Sequence, residues 1–182
     1  SLFDIVNFTN TSMGRRKFYS QLVCPTTDIN WLQSEYNVTN EMLKPECFEL
    51  IPQMRRSLSQ VKDIERICRQ IVVRKIYPSS ICYLYQSIQT AMSLREMFMN
   101  NQCVREYLDE HTIDISKSCS RIMDFLDTHF HIDKCKGVST TTVFDENFIQ
   151  RGFCSELDEV IENHATNTKL FYQLKTVRIV FL

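Results

Sequence analysis

The sequence predicts an all-α protein: a multi-helix domain with long helices and one short irregular or β-like connection near 130–150. Glycine and proline are scarce, with Gly 3 and Pro 4 among 182 residues, so the punctuation of an all-β or βαβ chain is missing. Apolar side chains recur every three or four residues, whereas alternating Val/Ile runs are few. A 43% apolar share at this length suits one domain, with or without an appendage, that can bury a core.

Taken in order, Thr9 or Thr11 caps a first helix, in which Phe18, Leu22 and Val23 follow Gly14 and which must stop near Pro25. Thr27 or Asp28 then caps a second, with Ile29, Leu32 and Tyr36 on one face. Pro45 and Pro52 bracket a break. "MRRSLSQVKDIERICRQIVVRK" comes next as one amphipathic helix, apolar through Met54, Leu58, Val61, Ile64, Ile67 or Cys68, and Ile71, and basic opposite. "YPSS" supplies a proline and a serine cap for the longest expected helix, striped by Leu84, Ile88, Ala91, Leu94 and Phe98. Ile115, Cys119, Ile122 and Leu126 mark another. "HFHIDKCKGVSTTTVFDENFIQRGF" loses the helical period and reads as irregular or hairpin-like. A last helix begins at Ser155, a serine cap with acidic residues in its first turn, and "KTVRIVFL" reads as strand-like. The apolar opening "SLFDIVNF" without Met, and the uncapped end, suggest a piece of something longer.

Charges nearly cancel, at net −1, so no basic footprint marks the chain as a whole and any DNA contact has to be local. No stretch joins a basic lead to an apolar leader segment, and no apolar run approaches membrane-spanning length, so no membrane partner is expected. The eight cysteines, Cys24, Cys47, Cys68, Cys82, Cys103, Cys119, Cys135 and Cys154, form no Cys-x-x-Cys pair. Several occupy helical stripes, where a reduced thiol acts as a small hydrophobe. The even count, with sequons at Asn7, Asn10 and Asn37, leaves one alternative: a secreted, disulfide-linked helical-bundle ligand.

Chemistry-bearing groupings are few. The stretch Phe8 to Asp28 has one glycine and no Gly-Lys-Ser/Thr, so it lacks the backbone nest and lysine of a phosphate loop. His129, His131 and Cys135 offer three metal donors without a fourth, and loop histidines are the plainer reading. No local motif singles out a nucleophilic cysteine. Asp63, Arg66 and Arg69 place opposite charges on one side of a helix, as register-fixing ion pairs would. No catalytic, cofactor-binding or metal-ligating residue is therefore expected in this chain.

One further pattern runs across the chain. "SLFDIVNFTNTSMGRR" resembles the start of the core, or lever, domain of the MutS family of DNA mismatch-repair ATPases. That family has an apolar lead followed by Thr-x-Thr-x-Met-Gly-x-Arg, carried here by Thr9, Thr11, Met13, Gly14 and Arg16. Pro25 and Asp28 match the proline and aspartate that the family places after this helix. "LSQVKDIERICRQIVVRKIYPSSI" is similar to the family's next block through Asp63, Glu65, Arg66 and Pro78. "VFDENFIQRGFCSELDEV" is similar to a third through Ile149, Gly152, Glu156, Leu157, Asp158 and Glu159. Gln21 replaces the family's tryptophan, an arginine is missing from "LQSEYNV", and Ser80 stands at an acidic cap position, which marks a divergent branch.

The resemblance implies an intracellular core domain over 1–153 and, over 154–182, the start of a helical limb toward a clamp. The core would couple ATP-dependent movement to grip on mismatched DNA. ATP with Mg would bind an ATPase domain downstream, a mismatch-reading wedge would lie upstream, and partners would be DNA, other MutS-type domains and a second subunit. Asp63, Glu65 and Arg66 would hold helices in register. Gly14 and Gly152 would permit close approach or unusual dihedrals, and Glu156 to Glu159 would begin the limb. Loss of Arg66 would then cost about 1 to 3 kcal/mol if its ion pair is partly buried.

Overall fold

The computed structural model describes residues 1–139 and 147–180, with the side chains of 111–114 and 175–180 left aside. Among the described residues the secondary structure is helical apart from one isolated bridge, so the all-α expectation holds. A capping box between Ser1 and Asp4 starts α1 (Leu2–Val6). Thr11 caps α2 (Ser12–Val23), which ends shortly before Pro25. Asp28 accepts from the Asn30 and Trp31 amides at 3.0 and 3.1 Å and opens α3 (Ile29–Met42).

The bracketed break holds a short helix, α4 (Pro45–Phe48), and Pro52 lies in the first turn of α5 (Ile51–Gln60), where a missing N–H costs nothing. The single helix expected through Met54 and Ile71 is two. α5 ends at Gln60, Val61 is extended, and Asp63 caps α6 (Ile64–Val72). The break is held from outside, because the buried Ser87 hydroxyl accepts the Lys62 amide at 3.0 Å. That bond satisfies a backbone donor which a continuous helix would have satisfied itself.

α7 (Pro78–Met97) starts on its proline, after Tyr77 and without a side-chain cap. The serine expected as a cap lies inside the first turn, where Ser79 is buried and gives its amide to the Val138 carbonyl at 3.0 Å. α7 is also not the longest helix, since α8 (Gln102–His129), capped by Asn101, and α10 (Ser155–Val180) exceed it. Between them, the connection expected to be irregular or hairpin-like holds α9 (Ile132–Cys135) and an antiparallel bridge, Phe130 with Ile149. The intervening 140–146 lie outside the described residues. The strand-like reading of 175–182 is corrected as far as Val180, which α10 includes. β-branched residues are only weakly disfavoured in a helix, and extending one already begun fixes few dihedrals per bond.

The core centres on α7, against which α5, α6, α8 and α9 pack. One cluster joins Ile67, Ile81, Leu84, Ile88 and Leu126; a second joins Cys47, Phe98 and Val104 beside α3, α4 and α8. Of the expected stripes, Leu22, Val23, Ile29, Tyr36, Cys68, Ile71, Ala91, Ile115 and Ile122 face solvent. α2 buries no residue fully, and every residue from 162 to 174 of α10 is exposed. No helix of the described residues is long and apolar enough to cross a membrane.

Candidate functional site

The densest polar arrangement joins the first sequence block to the second. Thr11 accepts the Gly14 amide at 2.9 Å, fixing the start of α2. A Cβ on Gly14 would lie 2.9 Å from that same Thr11 hydroxyl, so glycine leaves room for the cap. Thr9 turns instead to the Asn7 side chain, at 2.7 Å, and Met13 is half-buried beside Gly14 in sequence.

Two residues past Gly14, Arg16 reaches Asp63 with both terminal nitrogens, each at 2.8 Å. It also donates to Glu65 from Nε at 3.1 Å and Nη2 at 2.6 Å. Planar, two-pronged pairing of this kind fixes orientation as well as distance. Asp63 meanwhile caps α6 through the Arg66 amide at 3.2 Å. The Arg16 guanidinium, with help from that amide, holds the Asp63 carboxyl down at about 2 despite partial burial. The two carboxylates in turn raise the arginine's pKa.

Arg66 is not the partner its position suggested. Only its backbone joins the cap, its side chain is exposed, and it makes no ion pair among the described residues. The register-holding cation is Arg16, and truncating Arg66 should leave no carboxylate unpaired. Around the joint, Arg55 donates to the Phe8 carbonyl at 3.1 Å. Phe3 meets Phe18 and Tyr19 at 6.0 and 5.3 Å, with Arg15 over its ring.

The third block builds the base of α10. Gly152 has φ +88°, in the region that favours glycine, and gives its amide to the Asp158 carboxylate at 2.8 Å. Ile149 bridges to Phe130, with the Asn147 side chain bonding both its amide and its carbonyl. Phe153 stands edge-on to His129, 4.6 Å away. Leu157 and Asp158 are half-buried, while Glu156 and Glu159 face solvent.

Two of the three possible metal donors have other surroundings. His129 stacks on Phe125, with Nδ1 2.7 Å from that residue's carbonyl oxygen. Cys135 is completely buried, and that burial pushes its thiol up to about 11. Among the described residues no three His, Cys, Asp or Glu side chains converge. All eight cysteines are free.

Sequence reasoning missed the polar ties between helices. The Tyr107 hydroxyl donates to Glu35 at 2.6 Å, linking α8 to α3; burial first and this bond second push the phenol up to about 12. Tyr85 donates to Asp127 at 3.0 Å, and Arg95 pairs with Asp109, both between α7 and α8. Each spans a long stretch of chain, and no local spacing announces such pairs. An apolar groove of about 320 Å3 between α5, α7 and α8 is walled by Met54, Leu58, Met92 and Phe98, with Arg95 and Cys119 also in its lining.

The family model described as MutS domain III matches residues 1–176. The chain is 27% identical over 162 residues to a DNA mismatch repair protein MutS of Thermotoga neapolitana, covering 87% of the chain and 18% of that protein. It is 26% identical over 166 residues to the protein of that name in Clostridioides difficile, covering 89% and 16%. The Petrotoga mobilis protein shares 26% over 124 residues, covering 68% and 15%. The chain thus spans less than a fifth of the length of these relatives.

Proposed function

This chain belongs to the MutS family through its domain III, and on that premise we propose that it is the core of a mismatch-repair protein, coupling nucleotide-driven movement to closure on DNA. Residues 1–153 form the core in this reading, and 154–182 begin the limb toward a DNA-gripping clamp. ATP and magnesium are assigned to a part of the parent outside these residues. DNA and a second subunit are likewise the parent's partners, and the setting is intracellular.

The joint of Arg16 with Asp63 and Glu65 carries this reading. Two helical units move as one rigid body only if something fixes their relative orientation, and a two-pronged guanidinium does so. The work asked of these residues is mechanical. A rigid helix turns a small displacement at one end into a larger one at the other, with no bond made or broken.

The test uses the full-length parent. Arg16→Ala should leave basal ATP turnover in place while weakening its response to mismatched duplex and slowing ATP-triggered release from it. An unchanged response, with loss of the ion pair confirmed, would overturn the reading. So would ATP turnover by the 182-residue chain alone that is abolished by substitutions within it.

A further inference from the structure

Between Arg55 and Lys75 the chain carries seven basic and two acidic residues, in a protein of net charge −1. The two acids, Asp63 and Glu65, are already bound by Arg16, a cation from outside the segment. The seven bases are all exposed and largely unanswered. Arg55 donates to a neutral carbonyl, and Lys62 stands 5.7 Å over the Tyr83 ring, so neither charge is cancelled. Among the described residues Arg56, Arg66, Arg74 and Lys75 make no hydrogen bond or ion pair through their side chains. Arg69 reaches Asp63 only at longer range.

We propose that this strip, along α5, the Val61–Asp63 break, α6 and the turn that follows it, is a contact surface for the phosphate backbone of duplex DNA. Arg55 and Arg56 lie on α5, Lys62 in the break, Arg66 and Arg69 on α6, and Arg74 and Lys75 just past its end. Duplex DNA offers about one negative charge per 1.7 Å of its axis, a continuous match that the scattered carboxylates of a globular partner do not provide. Exposed arginines without partners lose no intramolecular contact on meeting a phosphate, and their planar forks suit it. The contact carries no base-reading group and is indifferent to mismatches. It supplies a salt-sensitive attraction that holds the core near DNA independently of the clamp.

The choice of duplex over other polyanions rests on the reading of the parent as a mismatch-repair protein, but the assay does not depend on coupling. Fluorescence anisotropy of the 182-residue chain with a labelled, fully paired duplex should show affinity falling about 10²-fold between about 50 and 200 mM salt, as about four phosphate contacts require. Arg66→Ala/Arg74→Ala/Lys75→Ala should weaken binding and lower the log–log salt slope by roughly 2 to 3. Lys117→Ala/Arg121→Ala/Lys169→Ala removes equal charge from α8 and α10 and should change affinity much less. Circular dichroism checks that both variants stay folded, and Arg56→Glu/Arg66→Glu replaces the first triple variant if it does not. No binding at low salt, or equal losses in both variants, would overturn the strip. Preference for a Glu-rich peptide over the duplex would replace it with a protein partner. A failed coupling assay in the parent would leave these binding results standing, so the two readings fail separately.

Discussion

Asp63 does two jobs that one pair of substitutions separates. Asparagine caps a helix about as well as aspartate, so Asp63→Asn keeps the bond to the Arg66 amide and removes only the charge facing Arg16. Asp63→Ala removes both. Lowering the carboxyl from 3.8 to about 2 corresponds to about 2 kcal/mol at neutral pH. Because the Arg16 side chain is 45% exposed, solvent screening brings this to about 1 kcal/mol. Asp63→Asn should therefore cost about 1 kcal/mol in urea unfolding at pH 7, and Asp63→Ala about 2 once the lost cap is included.

The pH dependence gives the sign. The folded-state pKa lies below the unfolded one, so the contribution is complete above the unfolded value of 3.8 and is lost as pH falls through about 2. The gap between wild type and Asp63→Asn should accordingly close over that window and stay level from about pH 5 to 7. Combined with Arg16→Ala, the pair should show a coupling of about 1 kcal/mol. A coupling near zero, or a gap that persists at the acid end, would refute the joint as an energetic link.

Other expectations rest on the same geometry. Gly152→Ala should lower stability by about 1 to 2 kcal/mol, because alanine is strained at φ +88°; an unchanged melting temperature would contradict it. Gly14→Ala should cost about 1 kcal/mol, despite alanine's better helix propensity, by displacing the Thr11 cap, and should add little in a Thr11→Ala background. Ser87→Ala should cost about 1 to 3 kcal/mol by leaving the Lys62 amide without its acceptor, and amide exchange at Lys62 should accelerate. In ultraviolet titration one tyrosine should ionise near 12 in the wild type and earlier in Glu35→Gln.

The helices and their starts were legible because a cap and an apolar period are local signals, as Asp28 and the Leu84–Ile88 stripe illustrate. The break after Gln60 was hidden by its own pattern. Met54, Leu58, Val61, Ile64 and Ile67 keep helical spacing straight through it, while the hydroxyl that holds it open is 25 residues away in sequence. A signal did exist, since Asp63 before an apolar run is a good N-cap. Arg16 was visible as a motif member but not as a partner of Asp63, 47 residues on. The cation nearest in sequence, Arg66, was the natural wrong choice. The tail misled because β-branched residues raise strand propensity, whereas α10 simply continues through them.

α10 is a cantilever whose stiffness is decided at its root. Its first residues, half-buried at Leu157, Asp158 and Ile161, are clamped by the Gly152 amide and the Phe153–His129 contact, while the stretch from 162 to 174 is bathed in solvent. At about 1.5 Å per residue the anchored part is about 10 Å long and the whole helix about 39 Å, so a tilt of about 1 Å at the root swings the far end by roughly 4 Å. That fourfold gain makes Gly152 and Asp158 aiming screws. A shift at either residue would re-aim the helix while leaving the exposed stretch from 162 to 174 unaltered.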